Sequence, residues 1–286
     1  MIVVLGCIFV LAAVLTGFSM AGGHVGALIH PSELVTIGGA ALGSMIIMSP
    51  RKVLMDVLRG GLQAVKGTPY NKNMYIELFG LIFALCRVCR REGVLALESH
   101  ITSPLESPTF QKHPLILKNK DVTQFLCTAM NALVDNSADI TSLNSSLEGD
   151  IRLIEQEHHA AVGVLTKTAD ALPGFGIVAA VLGIVVTMQA IGGPVQQIGE
   201  KVGAALVGTF LGILLSYGFF APLATRLEFL GEAQTQFLRT MSVAVIAMGQ
   251  GGAPKAVVTQ ACRSVSAEFR PTPADLNRLF TQDDTK

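Results

Sequence analysis

Residues 171–193 read ALPGFGIVAAVLGIVVTMQAIGG, and residues 202–223 read VGAALVGTFLGILLSYGFFAPL. Neither stretch contains Asp, Glu, Lys, Arg or His. About 20 apolar residues carry a helix across a bilayer, so each is long enough to span, with 194–201 as the connection. Stepping by threes and fours gathers Pro173, Gly176, Ala180, Gly183, Thr187 and Ala190 on one face of the first helix. The same stepping gathers Ala205, Thr209, Gly212 and Ser216 on the second. Lipid gives apolar side chains no reason to leave it for one another, so such small, weakly polar stripes are where spans approach closely. Two readings fit them: a packing seam, or the wall of a narrow path. A proline at one end of each helix, Pro173 and Pro222, removes a backbone donor and favours a bend or hinge. Thr209 offers an uncharged hydroxyl in mid-span, which suits a small cation better than an organic solute.

Half of the 286 residues are apolar, 15% are charged, and the mean hydropathy is +0.53. Together these exclude an ordinary soluble domain. The zero net charge gives no case for nucleic-acid binding. Cys7, Cys86, Cys89, Cys127 and Cys262 are sparse and irregularly spaced, which predicts free thiols in a reducing compartment. Cys86 and Cys89 form a C-x-x-C, but in a helical run with no second Cys or His pair at metal spacing.

The apolar segment 2–20 has no Lys or Arg before it and reads as an uncleaved first span rather than a signal peptide. Residues 21–33, Gly-rich and carrying His24 and His30, read as an outer turn. A second apolar run, 34–49, either reaches back to Ala27 or sits in a thinned bilayer, and its Gly39 and Gly43 form a G-x-x-x-G. Of the 21 Lys and Arg, thirteen fall in 51–167, seven follow Pro222, and only Lys201 lies in a proposed outer turn. The positive-inside rule then places the large loop and both termini in the cytoplasm, with four spans in total. The expected architecture is all-α: a first hairpin (1–50), a cytoplasmic helical domain (51–170), a second hairpin (171–225) and C-terminal helices with a tail (226–286).

Within the loop, 53–65 and 74–97 have helical periodicity, with Gly67, Thr68 and Pro69 between them. Three prolines make 99–114 a loop with short turns, and 150–170 reads as one helix running on into the membrane at Pro173. His158 and His159 point about 100° apart on a helix and are expected to face solvent. After the fourth span, 224–248 and 257–268 are read as helices, and the polar segment from Arg270 as a mobile tail. Arg87, Arg90, Arg91, Glu92 and Glu98 form a mixed-charge cluster, read either as a solvated helix end or as a docking surface where charge sets orientation. No phosphate loop, zinc-protease or nucleophile-elbow motif occurs, so no enzyme and no cofactor are expected.

Three segments are more specific than four hydrophobic runs: ADALPGFGIVAAVLGIV from Ala169, GAALVGTFLGILLSYGFFAPLA from Gly203, and CRREGVLALE from Cys89. With the order of two spans, large loop, two spans and tail, they resemble the MotA family, the ion-channel stator subunits of the bacterial flagellar motor. The resemblance covers essentially the whole chain. It implies an inner-membrane ring of five subunits around a dimer of a MotB-like, peptidoglycan-anchored partner that supplies the ion-binding aspartate. It also implies that Arg90 and Glu98 face the rotor's switch-complex protein, and that Pro173 and Pro222 couple ion passage to movement. Thr209 becomes a wall residue beside the partner's aspartate. On the small-residue stripes read above, Ala180, Gly183, Thr187, Ala205, Gly212 and Ser216 are expected to face the pore. The implied ion is a proton.

Ion paths through lipid ordinarily use an ionisable group. The spans as read here contain none, so an acid must come from a second chain. The related TolQ and ExbB energisers share the membrane pair but have three spans. A passive scaffold predicts no conductance with the partner present, and a solute transporter needs a charge in the spans that these lack.

Overall fold

A computed structural model describes residues 2–135, 139–189, 191–192 and 194–282. The fold is all-α, with helices and no strands among the described residues. Four helices are long and apolar enough to cross a membrane: Ile2–Met20, Val25–Met48, the apolar half of Ile140–Met188, and the apolar half of Val195–Gly249. Cα packing divides the chain into two compact units, Met1–Gly67 with Glu157–Gly231, and Thr68–Gln156 with Glu232–Lys286.

In the first unit, no residue of Ile2–Met20 is fully buried, which suits a helix whose solvent is lipid. The second span begins earlier than the apolar run indicated: its helix is Pro31–Met48, with Pro31 in the first turn. Ile37 and Ala41 of this helix pack with Leu172 and Ala179 of the third span. The helix Arg51–Lys66 ends at Gly67, whose φ of +95° favours glycine. Its Val57 and Ala64 join Met45, Ala161, Leu165, Ala224 and Leu227 in a separate apolar cluster.

The helix Ile140–Met188 is unbroken over 49 residues despite its internal Pro173. The connection to the fourth span is shorter than 194–201, because the helix Val195–Leu215 starts directly after Pro194. A proline just ahead of a helix restricts the chain without removing a needed donor, so Gln196, Gln197, Glu200 and Lys201 form a polar first stretch rather than a loop. A π-helical segment, Ser216–Phe220, then leads into Ala221–Gly249.

The second unit is built on Lys72–Glu92, whose start is capped by the Asn71 side chain accepting from the Met74 N–H at 3.1 Å. Its buried face carries Leu78, Phe79, Ile82 and Leu85. Tyr70 and Tyr75 enclose Phe237, with ring centroids 5.2 and 4.9 Å away. Burial pushes both phenols up to about 12. Gly93, at φ +91°, ends the helix, so the 74–97 reading ran five residues too far. Short helical turns fill 94–118.

The C-terminal segment is the clearest correction in this unit. It is not a mobile tail but a helix, Pro273–Gln282, packed through Leu276, Leu279 and Phe280. Its start is fixed by a reciprocal cap. The Thr272 N–H donates to Asp275 Oδ2 at 2.8 Å, and the Asp275 N–H donates to Thr272 Oγ1 at 3.3 Å. Lys72 binds Asp275 Oδ2 at 2.8 Å, and Phe280 lies 5.2 Å from the Phe83 ring.

Candidate functional site: a glycine-seamed membrane hairpin

The third and fourth spans meet backbone to backbone. A Cβ placed on Gly176 would stand 2.9 Å from the Gly208 carbonyl and 3.1 Å from the Gly212 Cα. One on Gly212 would meet the Leu172 carbonyl at 2.7 Å, and one on Gly183 would meet the Ala205 Cβ at 2.8 Å. Only residues without a Cβ allow this approach, which is how spans associate where lipid removes the hydrophobic drive. Of the sequence-predicted stripe, Gly176, Gly183, Ala205 and Gly212 therefore lie in the seam between two spans of one chain.

The remaining members of the stripe are placed differently. Thr187, 4% exposed, donates its hydroxyl to the Gly183 carbonyl at 2.8 Å and so returns it to its own helix. Ser216 is 1% exposed, and its Oγ has no hydrogen-bond partner among the described residues. Thr209 and Ala180 are half-buried, so both keep surface for a neighbour outside the chain. Pro173 is half-buried inside the third-span helix, and Pro222 is exposed just after the π segment. Ala190 lies outside the described residues.

Sequence reasoning missed Glu33. It is not in an outer turn but in the first turn of the second-span helix, only 6% exposed. Its Oε2 lies 2.8 Å from where a Gly208 Cβ would be. The membrane part of this chain thus holds an acid of its own, contrary to the reading that none is present. The signal was available: Pro31 followed by Glu33 is a helix start, with an acid in the first turn, favoured there by the positive end of the helix dipole.

His158 is likewise not solvent-facing. Its Nε2 lies 2.8 Å from the Leu227 carbonyl and donates to it, and Gly231 leaves room for the ring. Arg90 is exposed in the last turn of Lys72–Glu92, and Glu98 is exposed at the start of Glu98–Thr102. Cys86 is buried, which pushes its thiol up to about 12 and opposes the thiolate that metal or redox chemistry needs.

The family model described as Motility protein A N-terminal matches residues 4–93, and that of the MotA/TolQ/ExbB proton channel family matches residues 118–240. Motility protein A of Salmonella typhimurium is 32% identical over 272 residues, covering 95% of this chain and 92% of that protein. This chain belongs to the Motility protein A family. Motility protein A of Escherichia coli is similar to the same extent, 32% over 272 residues with the same coverage. Two solved relatives share the fold. The Campylobacter jejuni MotAB structure has a TM-score of 0.77 at 21% identity, covering 95% of this chain and 98% of that one. The MotAB stator complex from Bacillus subtilis has a TM-score of 0.75 at 23% identity, covering 93% and 96%.

Proposed function

We propose that this chain is the ion-conducting stator subunit of a bacterial flagellar motor, multi-pass in the inner membrane with both termini in the cytoplasm. The observation that carries the reading is a seamed hairpin whose apolar stretches, 171–193 and 202–223, contain no charged residue and in which Thr209 is half-buried. In this reading five copies surround a MotB-like, peptidoglycan-anchored partner whose membrane aspartate takes up and releases a proton beside Thr209. Residues 1–50 and 171–225 form the membrane hairpins, and 51–170 and 226–286 form the cytoplasmic part. Protonation of the partner changes how it packs on Thr209 and Ala180. The hairpin moves as one body, with Pro173 and Pro222 as the compliant points, and Arg90 with Glu98 passes the step to the rotor's switch-complex protein. One charge crossing 100 mV releases about 2.3 kcal/mol, enough to shift a two-state packing by tens of fold.

The test is to produce the chain with and without a MotB-like partner in cells lacking their own stator and to measure swimming and cytoplasmic pH. Motility and proton entry that both require the partner are the expected result. Conductance by the purified chain alone in liposomes would overturn the shared path.

A further inference from the structure

The seam of the hairpin has a regular antiparallel register. Seven residues along the third span, from Gly176 to Gly183, match seven back along the fourth, from Gly212 to Ala205. The same register sets Ser216 level with Leu172, the level toward which the Ala169 carbonyl points along its own helix.

That turn has a polar group to offer. Pro173 has no N–H, so the Ala169 carbonyl, which would accept from it in an unbroken ladder, is left without its helical donor. Ala169 is 1% exposed, so bulk water does not reach it. On the other helix, the Ser216 hydroxyl is equally buried and has no partner among the described residues. Ser216 also opens the π segment, where the helix ladder shifts to the Ala221 N–H donating to the Ser216 carbonyl. Such π segments recur at functional positions in helices.

A buried hydroxyl and a buried carbonyl, each lacking its usual partner and brought to one level by the register, are what an internal water needs, since such waters make two to four hydrogen bonds to otherwise unsatisfied groups. We propose that Ser216 Oγ and the Ala169 carbonyl bind one ordered water molecule, and that this water links the proline turn of the third span to the π segment of the fourth. The link is replaceable, unlike a direct side-chain bond. Movement at Pro173 is thereby transmitted to the π segment without leaving either group unsatisfied in lipid. The water site follows from packing and hydrogen-bond accounting alone, whereas its mechanical role rests on the stator function proposed above.

The experiment is single-particle cryo-EM of the full chain with a MotB-like partner in nanodiscs, at a resolution that shows waters. Density is expected at roughly 2.5–3.0 Å from both Ser216 Oγ and the Ala169 oxygen. It is expected to be lost in Pro173→Ala, which restores the N–H donor to Ala169, and in Ser216→Ala. Motor speed in Ser216→Ala is expected to fall several-fold at normal membrane levels, with partial recovery in Ser216→Thr. Absence of density in the unaltered protein, or density unchanged in both variants, overturns the site. Loss of density with unchanged motor speed overturns its mechanical role.

Discussion

The carboxylate of Glu33 occupies the space that any side chain at position 208 would need: a Cβ on Gly208 would stand 2.8 Å from Glu33 Oε2 and 3.1 Å from the Ala179 Cβ. Gly208→Ala is therefore expected to destabilise the protein by about 1 kcal/mol, at the low end for overpacking, because the end of the Glu33 side chain can shift while the Ala179 Cβ must give. The loss should be smaller in a Glu33→Ala background, because the carboxylate is then no longer in the way. Thermal unfolding of the four proteins of this cycle in detergent reads the coupling. Equal losses in both backgrounds would show that the two residues do not touch.

Gly212 and Gly43 are both glycines in spans, yet they are expected to respond in opposite ways. A Cβ on Gly212 meets only backbone, the Leu172 carbonyl at 2.7 Å and the Gly176 Cα at 2.8 Å, whereas one on Gly43 meets nothing within 4 Å. Gly212→Ala should cost about 3 kcal/mol, at the upper end for overpacking, and Gly43→Ala should stay within about 0.5 kcal/mol. Protease resistance and unfolding temperature of the purified chain decide between this and two equal responses.

Arg90 and Glu98 are exposed on the second unit, so replacing them serves as a clean test of surface function. Reversing both charges, Arg90→Glu with Glu98→Lys, is expected to leave folding within about 0.5 kcal/mol of the original. Swimming should be abolished while membrane insertion and ion flux persist. Normal swimming would remove these two residues from the rotor contact.

The Lys72 ammonium hydrogen-bonded to Asp275, together with Thr272, holds that carboxyl well below the usual carboxylate range. A folded-state value that is depressed contributes stability fully present above the ordinary carboxylate value of about 4. That contribution is lost as pH falls further, through the depressed value. Asp275→Asn should therefore loosen Pro273–Gln282 at neutral pH, seen as faster hydrogen exchange in that helix. The difference between variant and original should shrink as the medium is made strongly acid.

The hairpin spans were legible in the sequence because a bilayer sets a length that composition either meets or fails, and 171–193 and 202–223 meet it without a charge. The seam was half legible: spacing put Gly183, Thr187, Ala205 and Gly212 on stripes, but spacing does not say whether a stripe meets its own chain or another. Glu33 was misplaced because hydropathy alone marks where a run begins, whereas Pro31 starts the helix sooner. The helix at 273–282 was missed for the converse reason. Its apolar face is just Leu276, Leu279 and Phe280, and a polar average hides three residues at helical spacing. His158 was read by its neighbour His159, although its partner, the Leu227 carbonyl, lies 69 residues away along the chain.

Backbones in contact at Gly176 and Gly212 have no freedom to slip lengthwise. A slip of the fourth span by one helical turn, about 5.4 Å, would bring Ser216, on the same face as Gly212, toward the slot at Gly176 that only a glycine fills. The two spans are thus keyed like a tongue in its groove, stiff along the membrane normal, and whatever stroke the hairpin makes must be a tilt or a turn of the pair together.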